Sequence, residues 1–416
     1  MKIVQNNIPQ LRFSEFSNNW QKKRLDEVSE INRGKSKHRP RNAKFLYGGK
    51  YPFVQTGDIR GASLYLDSYT QTYSEKGLAQ SKLWDEGTLC ITIAANIAET
   101  TILKIKACFP DSIIGLIPYK EKTIVLFLKY QFDKFKIDIQ KLSEGIAQSN
   151  LNKEKLSKIE FLFPKLPEQQ KIASFLTAVD TKIAKLTNKK ELLEKYKKGV
   201  MQQIFNQEIR FKDDDGNFYP NWKVKLLGDI GSFQTSSVDK LSKDNQEEIH
   251  LVNYMNVYRH EEINNKTIEE LQVVTAKENQ IKSSNLLKGD ILFTPSSETP
   301  TDIGHSVVIF EDINNAVYSY HLMRFRPKIE IDILYSHYFC NTTNVLKQLS
   351  RFATGSTRFT ISVGNFSKVK VKLPCIEEQT KIANFLSSID AKIDQVAYQL
   401  EKTKIFKKGL LQQLFV

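Results

Sequence analysis

Residues 168–205 of the chain read EQQKIASFLTAVDTKIAKLTNKKELLEKYKKGVMQQIF, and residues 378–415 read EQTKIANFLSSIDAKIDQVAYQLEKTKIFKKGLLQQLF. The two stretches align without a gap at a shift of 210, and 17 of the 38 positions are identical. Chance does not plausibly produce a match of this length, so the chain contains an internal repeat. This repeat decides the fold, because it divides the 416 residues into two equivalent parts.

The repeat extends upstream of these stretches. Pro164 matches Pro374 at the same shift, and weaker matches lie near the start of each part, at Trp20-x4-Leu25 and Trp222-x4-Leu227. The chain is therefore two tandem copies of one unit, each a globular part followed by a long helix. Because the helical parts are more alike than the globular parts, we expect the helices to share one task and the globular parts to perform two different ones.

Apolar residues recur at a spacing of three and four in both long stretches, which predicts two amphipathic helices with a coiled-coil seam. In the first helix they are Ile172, Leu176, Val179, Ile183, Leu186, Leu193, Val200 and Ile204. The seam is interrupted by Lys190, Lys197, Thr403 and Lys407. Polar seam residues fix the register and the partner of a coiled coil. We expect the two helices to pair with each other in antiparallel fashion, with a pseudo-twofold axis; pairing with another chain is the alternative.

Short β-rich runs alternate with turns and short helices in the globular parts, which predicts an α+β fold. We divide the chain into a first globular domain at 1–163 and a first long helix at 164–205. The second globular domain spans 206–373, of which 206–220 is a linker, and the second long helix spans 374–416.

Composition favours a polyanionic partner. The chain has 61 Lys and Arg against 47 Asp and Glu, a net charge of +14, and such an excess is typical of nucleic-acid-binding proteins. A merely basic protein is the alternative. The four cysteines are scattered without a C-x-x-C pair, which favours reduced thiols. No apolar run approaches the ~20 residues of a membrane-spanning helix, and no signal peptide is evident, so we expect a cytoplasmic protein.

The densest basic segment is residues 33–44, where Gly34 and Pro40 argue against a helix. A basic loop of this kind suits contact with DNA phosphates, and its Arg and His side chains are long enough to reach base edges. A solvated loop is the alternative. The candidate DNA-binding residues in this segment are Arg33, Lys35, Lys37, His38, Arg39 and Arg41.

Other candidates are polar residues in probable loops, several at matching places in the two copies. The segment 144–149 aligns with 354–359, so that a glutamine occupies the place of an arginine. Arginine reads guanine and glutamine reads adenine, which makes the pair suited to base discrimination. A turn whose polar side chain caps the next element is the alternative. The candidates are Gln55, Gln148, Gln234, Asn253, Ser297 and Arg358.

The helices supply candidate partner-binding positions. Gly199 and Gly409 recur inside the helical pattern, where glycine costs about 1 kcal/mol relative to alanine. Their recurrence predicts the close approach of another backbone; a tolerated weak point is the alternative. The candidate partner-binding residues are Ile172, Phe175, Val179, Gly199, Ile382, Phe385, Ile389 and Gly409.

The sequence contains no recognisable catalytic motif. There is no phosphate loop, no G-x-G-x-x-G turn and no set of nucleophile, base and orienting residue. The [DNS]-P-P-[YFW] tetrapeptide of amino-methyltransferases is also missing, which disfavours a methyltransferase. A standalone transcription factor would need a helix-turn-helix, and a coiled-coil scaffold would not need the basic loop. We therefore expect no catalytic, cofactor or metal site in this chain.

The double arrangement resembles the specificity subunits of type I restriction-modification systems. The resemblance is carried by the two Trp-x4-Leu motifs, by the Pro164 and Pro374 segments, and by the EQQKIA and EQTKIA sequences that open the repeated stretches. It implies two α/β target recognition domains in tandem, each reading half of a bipartite DNA site. The paired helices would set the spacing between the half-sites.

The resemblance also implies partners. Two methyltransferase (modification) subunits would bind the helices and supply S-adenosylmethionine, while restriction subunits would supply ATP- and Mg-dependent translocation and cleavage. One departure concerns the aligned turns: Ile146-Ala147 stands where the second copy has Ser356-Thr357.

Overall fold

Each repeated stretch forms one uninterrupted helix, Leu166–Phe205 and Ile376–Leu414. They belong to a computed structural model that describes residues 7–142 and 151–416. The chain forms two compact units: the first comprises residues 1–188 and 397–416, and the second comprises residues 189–396. This division falls within both long helices, whereas the boundaries predicted from the repeat keep each helix whole.

The first unit is mixed α/β. Its five-stranded sheet has the order Ser29–Arg33, Ile113–Pro118, Leu89–Thr92, Thr100–Leu103 and Tyr65–Leu66. Its four-stranded sheet has the order Gln71–Tyr73, Tyr47–Phe53, Ala107–Cys108 and Leu83–Trp84. Its shorter helices are Leu25–Val28, Lys44–Leu46, Thr56–Gly61, Glu75–Ala79, Val125–Lys134, Lys136–Lys141 and Lys153–Ser157.

The second unit repeats this plan with two four-stranded sheets. One has the order Gly231–Thr235, Met323–Pro327, Ile291–Phe293 and Ser306–Val308. The other has the order Val273–Ala276, Glu247–Val252, Ile313–Tyr318 and Asn285–Leu286. A small sheet pairs Ser296–Ser297 with Phe359–Thr360. The shorter helices are Leu227–Ile230, Tyr254–Tyr258, Thr267–Glu270, Glu278–Ser283, Ile333–Phe339, Thr343–Phe352 and Val363–Ser367.

A two-stranded sheet in each unit joins the start of the globular part to the start of the following helix. Strand Gln21–Arg24 pairs with Glu160–Phe163 in the first unit, and Lys223–Leu226 pairs with Lys370–Leu373 in the second. The tryptophan before each first strand donates its indole N–H to a buried glutamate on the helix. The donor–acceptor pairs are Trp20 and Glu168, at 3.2 Å, and Trp222 and Glu378, at 2.9 Å.

Each main core contains the beginning of one long helix and the end of the other. In the first unit, Ile172 and Leu176 lie in the same apolar cluster as Leu414 and Phe415. In the second unit, Ile382 and Leu386 share a cluster with Val200 and Ile204. The seam residues predicted from the 3–4 spacing are therefore largely core residues, since burial of apolar area stabilises each unit.

Candidate nucleic-acid interface

The basic loop, residues 33–44, follows strand Ser29–Arg33 and leads into the short helix Lys44–Leu46. Three of its arginines gather around one acidic residue. Arg41 Nη2 lies 2.6 Å from Asp111 Oδ2 and Arg39 Nη2 lies 4.0 Å from the same oxygen, while Arg33 Nε donates to the Asp111 carbonyl. One carboxylate against three guanidinium groups leaves an excess of positive charge, which suits phosphate binding.

The remaining candidates of the basic loop differ in exposure and in their contacts within the fold. The side chains of Lys35 and Lys37 are exposed. His38 packs its ring edge-on against Phe45, with the centroids 4.9 Å apart, and its backbone N–H donates to Gln80 Oε1. Lys35 and Lys37 are therefore the side chains of this loop most open to an approaching polyanion.

A groove joins the basic loop to a second candidate, Gln55. Gln55 Nε2 donates to Gln71 Oε1 at 2.6 Å, and we refer to these two residues as the first amide pair. The structure thus brings together Arg41 and Gln55, which the sequence places 14 positions apart. The groove is lined by Arg41, Asn42, Lys44, Tyr47, Gly48, Gln55 and Gln71.

The second unit has an equivalent arrangement. Asn253 Nδ2 donates to Gln272 Oε1 at 3.2 Å, and these residues form the second amide pair. Both pairs join the end of one strand to the start of its antiparallel neighbour, Tyr47–Phe53 with Gln71–Tyr73 in the first unit. Gln272 Nε2 donates to the carbonyl of Lys240 at 3.2 Å, so the lysine-containing loop after Gly231–Thr235 reaches this pair.

Arg358, another candidate, is connected to the second amide pair only indirectly, through Ser296 and Tyr254. Arg358 Nη2 donates to Ser296 Oγ at 3.2 Å, and the Tyr254 hydroxyl donates to the Ser296 carbonyl at 2.9 Å. Tyr254 follows Asn253 directly in the chain. Burial lowers the pKa of His321, and the nearby cations Lys240 and Arg358 lower it further. Lys240 and Arg358 therefore lie near His321, and the carbonyl of Lys240 also contacts the second amide pair.

Two DNA-binding candidates of the second unit, Gln234 and Ser297, have contacts within the fold. Ser297 is 8% exposed and lies in strand Ser296–Ser297. The amide oxygen of Gln234 accepts a hydrogen bond at 2.6 Å from the buried Arg324, which also binds Asn285. Both side chains serve packing or hydrogen bonding within the unit. Gln148 lies outside the described residues.

Most of the candidate partner-binding residues on the helices pack within the units. Ile172, Val179, Ile382 and Ile389 are at most 8% exposed and belong to the apolar cores, so they have little surface left for a separate subunit. Phe175 packs edge-on against Phe13, and Phe385 packs against Phe211. A Cβ built at Gly199 or Gly409 meets no described atom within 4 Å. Within the described part of the chain, no neighbouring backbone therefore requires a glycine at either position.

Two of the polar seam residues form matching ion pairs. Lys407 Nζ lies 2.6 Å from Asp180 Oδ1 in the first unit, and Lys197 Nζ lies 2.5 Å from Asp390 Oδ1 in the second. Each aspartate also accepts a hydrogen bond from a tyrosine hydroxyl of its own unit. The tyrosines are Tyr130, at 2.8 Å, and Tyr338, at 2.7 Å.

A family model decides between the alternatives that the sequence leaves open. The model of the type I restriction modification DNA specificity domain matches the chain twice, over residues 17–195 and 219–403. The chain belongs to this family. The resemblance inferred from the repeat is thereby confirmed, and the family match decides against a standalone transcription factor or a coiled-coil scaffold.

Relatives of this specificity protein are found in Methanocaldococcus jannaschii. The type I restriction enzyme MjaVIII specificity subunit is 26% identical over 298 residues, which is 70% of this chain and 69% of that protein. The MjaIX specificity subunit is 25% identical over 231 residues. That match covers 52% of this chain and 53% of the MjaIX subunit, so the chain spans about half the length of that relative.

Two solved structures share the fold. A type I restriction-modification S subunit from M. genitalium superposes with a TM-score of 0.58 at 15% identity, over 98% of this chain and 99% of that one. A chain from a structure addressing complex assembly and conformational transition of the type I R-M system gives a TM-score of 0.59 at 14% identity. That match covers 95% of this chain and 97% of the other. The likeness supports the two-part mixed α/β architecture of this specificity protein.

Several residues near the candidates are not predicted from the sequence. Gln71 and Gln272 are hydrogen-bonded to candidates and His321 lies near Arg358, but no spacing pattern connects them. Tyr254 directly follows the candidate Asn253, so its position in the sequence could have indicated it. Within residues 7–142 and 151–416, no group of three or more His, Cys, Asp or Glu side chains is placed to hold a metal ion. None of the helices in these ranges is long and apolar enough to cross a membrane.

Proposed function

We propose that this chain is the non-catalytic DNA-reading subunit of a type I restriction-modification enzyme, and that each unit binds one half of a bipartite target. The observation that carries the proposal is the repeated site. Each of the two matched DNA specificity domains holds an amide pair beside a lysine-containing loop. Amide side chains recognise bases, and cationic side chains bind phosphates. Because the loops and amides differ between the units, the two half-sites differ in sequence.

The proposed DNA contacts are assigned to the candidate side chains that are most open to an approaching duplex. In the first unit, Lys35, Lys37 and the arginines around Asp111 bind phosphates, with Gln55 at the base edges. In the second unit, Asn253 and Arg358 face bases, and Lys240 and His321 lie close to the phosphates. Gln148 stays a prediction from the alignment with Arg358. The support for these roles is their common position on the polar surface of each unit.

The two long helices, in this proposal, pair as an antiparallel coiled coil with pseudo-twofold symmetry and set the gap between the half-sites. Support comes from the apolar clusters, in which the end of one long helix packs with the beginning of the other. The matching ion pairs of Lys407 with Asp180 and Lys197 with Asp390 support the same register. Polar pairs within an apolar seam are well suited to fixing a register.

Two methyltransferase subunits dock on the exposed sides of these helices, in this proposal, and restriction subunits join the assembly through them. Tyr196 and Phe406 occupy equivalent repeat positions, and each is 54% exposed. Each stands three residues before an open glycine, Gly199 or Gly409. Equivalent exposed aromatic side chains on both helices fit two copies of one partner. S-adenosylmethionine, ATP and Mg would be bound by the partner subunits.

Methyl transfer to DNA tests this assignment. The purified chain alone is expected to transfer no methyl group from S-adenosylmethionine. The same chain mixed with the modification subunits of its host is expected to give methylation at a split sequence. Methyl transfer by the chain alone would contradict a non-catalytic role, and methylation of unrelated sequences by the mixture would contradict DNA reading.

A further inference from the structure

The two amide pairs hold two residues, Gln71 and Gln272, to which the sequence assigns no role. We propose that they are positioning residues, which hold the amides of Gln55 and Asn253 in the orientation that contacts an adenine, one in each half of the target. The inference rests on the proposed function, because it presumes that the two units read DNA. It adds to that function the residues that orient the Gln55 and Asn253 amides, and it names adenine as the base that they contact.

The orientation of both amides in the second pair follows from hydrogen bonds to groups that can only accept or only donate. A backbone carbonyl only accepts, so the contact with the Lys240 carbonyl assigns the nitrogen end of the Gln272 amide. Its oxygen end then faces Asn253 and accepts from Asn253 Nδ2. The Asn253 backbone N–H donates to Asn256 Oδ1 at 2.8 Å. Asn256 is itself oriented, because its Nδ2 donates to the Glu261 carboxylate at 2.6 Å.

The first pair has the same backbone contact, with a carboxylate in place of the second asparagine. The Gln55 backbone N–H donates to Asp58 Oδ2 at 2.8 Å, and the same oxygen accepts from Thr70 Oγ1 at 3.4 Å. Gln55 Nε2 donates to Gln71 Oε1. The Gln55 amide therefore keeps its oxygen and one N–H for an outside group, and Gln71 keeps both of its N–H groups.

The donor and acceptor groups of these amides that have no partner in the described part of the fold match the hydrogen-bonding groups of adenine. In the major groove, adenine presents an acceptor, N7, beside a donor, the N6 amino group, and Asn or Gln side chains bind both. Asn253 Oδ1 is one of several buried side-chain atoms of the described residues that have no hydrogen-bond partner, so the fold leaves this oxygen unengaged. Around the first pair, the seven described lining residues of the groove include Arg41 and Lys44 and no carboxylate. That lining suits a base flanked by phosphates.

Base preference, measured on DNA duplexes randomised at their central positions, tests the proposal. The full chain is mixed with its modification subunits, and the bound duplexes are sequenced. Gln71→Met removes the acceptor but keeps the length of the side chain, and it is expected to lower the preference for adenine by roughly tenfold at one position of one half-site. Gln272→Met is expected to do the same in the other half-site. Gln71→Glu keeps the acceptor oxygen and is expected to keep the preference.

Gln170→Met serves as the control, because Gln170 is an exposed amide on the first long helix that bonds only locally to Ser174. Unchanged preference in Gln71→Met and Gln272→Met, with a selective wild type, would overturn the positioning role. Loss of both half-sites in either variant would point to a structural role and would overturn it too. A wild-type complex that selects no sequence would instead contradict the proposed function.

Discussion

Lys407 Nζ lies 2.6 Å from Asp180 Oδ1, and the residues 210 positions away, Lys197 and Asp390, form the same contact at 2.5 Å in the reverse sense. The first helix contributes the aspartate in one unit and the lysine in the other. These lysines interrupt an otherwise apolar seam. The two copies of the repeat therefore share a specific ion pair as well as a hydrophobic pattern. In the proposed function, this ion pair helps to set the register of the helices.

Removal of one lysine should destabilise the protein. Lys407→Ala leaves Asp180, which is 15% exposed, with Tyr130 as its remaining partner. We expect a loss of about 1–3 kcal/mol in the free energy of unfolding, because a partly buried carboxylate loses its counter-charge. Urea denaturation of the full chain measures it.

The control for this variant is Lys158→Ala, which breaks the exposed pair with Glu154. An exposed pair contributes roughly 0.5 kcal/mol or less. If both substitutions lowered the free energy of unfolding equally, the Lys407–Asp180 pair would contribute no more to stability than an exposed ion pair.

Glu378 should make the stability of the protein depend on pH, and the direction of the change can be derived from its pKa. Burial raises its pKa above 4.5, against the opposing effects of Trp222 and Arg210. The folded chain thus holds this proton more tightly than the unfolded chain does. The associated stability is fully present below about pH 4.5 and is lost as the pH rises through the raised pKa. The stability of the wild type relative to Glu378→Gln should therefore increase as the pH falls from neutral.

A neighbouring residue provides a control of opposite sign. The pKa of the exposed Glu377 is lowered, chiefly by a hydrogen bond to its own backbone. The stability of the wild type relative to Glu377→Gln should therefore decrease as the pH falls through the lowered pKa. Urea midpoints across the pH range decide both cases, and the same trend in the two variants would contradict the burial of a charge at Glu378.

The exposed lysines of the basic loop should act on all DNA sequences alike. We expect Lys35→Ala with Lys37→Ala to weaken DNA binding by a similar factor for target and non-target duplexes. The slope of log affinity against log salt should fall by about one for each phosphate that the variant no longer binds. Fluorescence anisotropy over a salt series measures this slope.

An equal change of charge elsewhere is the control for the basic loop. Lys22→Ala with Lys158→Ala removes two lysines that pair with Glu160 and Glu154. This double variant is expected to leave the salt slope almost unchanged. If both double variants lowered the slope equally, net charge and not the loop would account for binding.

His321 should make DNA binding depend on pH. Its pKa lies below 6.5 in the free protein, because burial, Lys240 and Arg358 disfavour the cation. Nearby phosphates would raise this pKa, so binding takes up a proton and tightens as the pH falls from neutral toward 6.5.

Two variants separate the His321 effect from other titrating groups. His321→Gln should flatten the pH dependence of DNA affinity. His337→Gln, at a histidine whose pKa is also lowered by burial, should leave it intact. A pH dependence that survives His321→Gln unchanged would place His321 away from the DNA.

The sequence predicts the repeat, the two long helices and the family because these depend on patterns that recur at fixed spacing. It also predicts Gln55, Asn253 and Arg358 as DNA-binding residues, and their role stays a prediction. It does not predict that Arg324 engages Gln234 or that Ser297 is buried, because both follow from strand pairing between distant segments. The packing of the seam residues within the units is not predicted either, because a 3–4 pattern shows that a face is buried but not what buries it.

The most direct test of the central claim, that each unit reads its own half of the target, is a segment exchange followed by methylome sequencing. Residues 21–140 are replaced by the matching segment of another specificity subunit, and the chain is expressed with its modification subunits. The account predicts that one half of the methylated sequence changes, while the other half and the gap between them are retained. Loss or change of both half-sites in a folded chimera would contradict it.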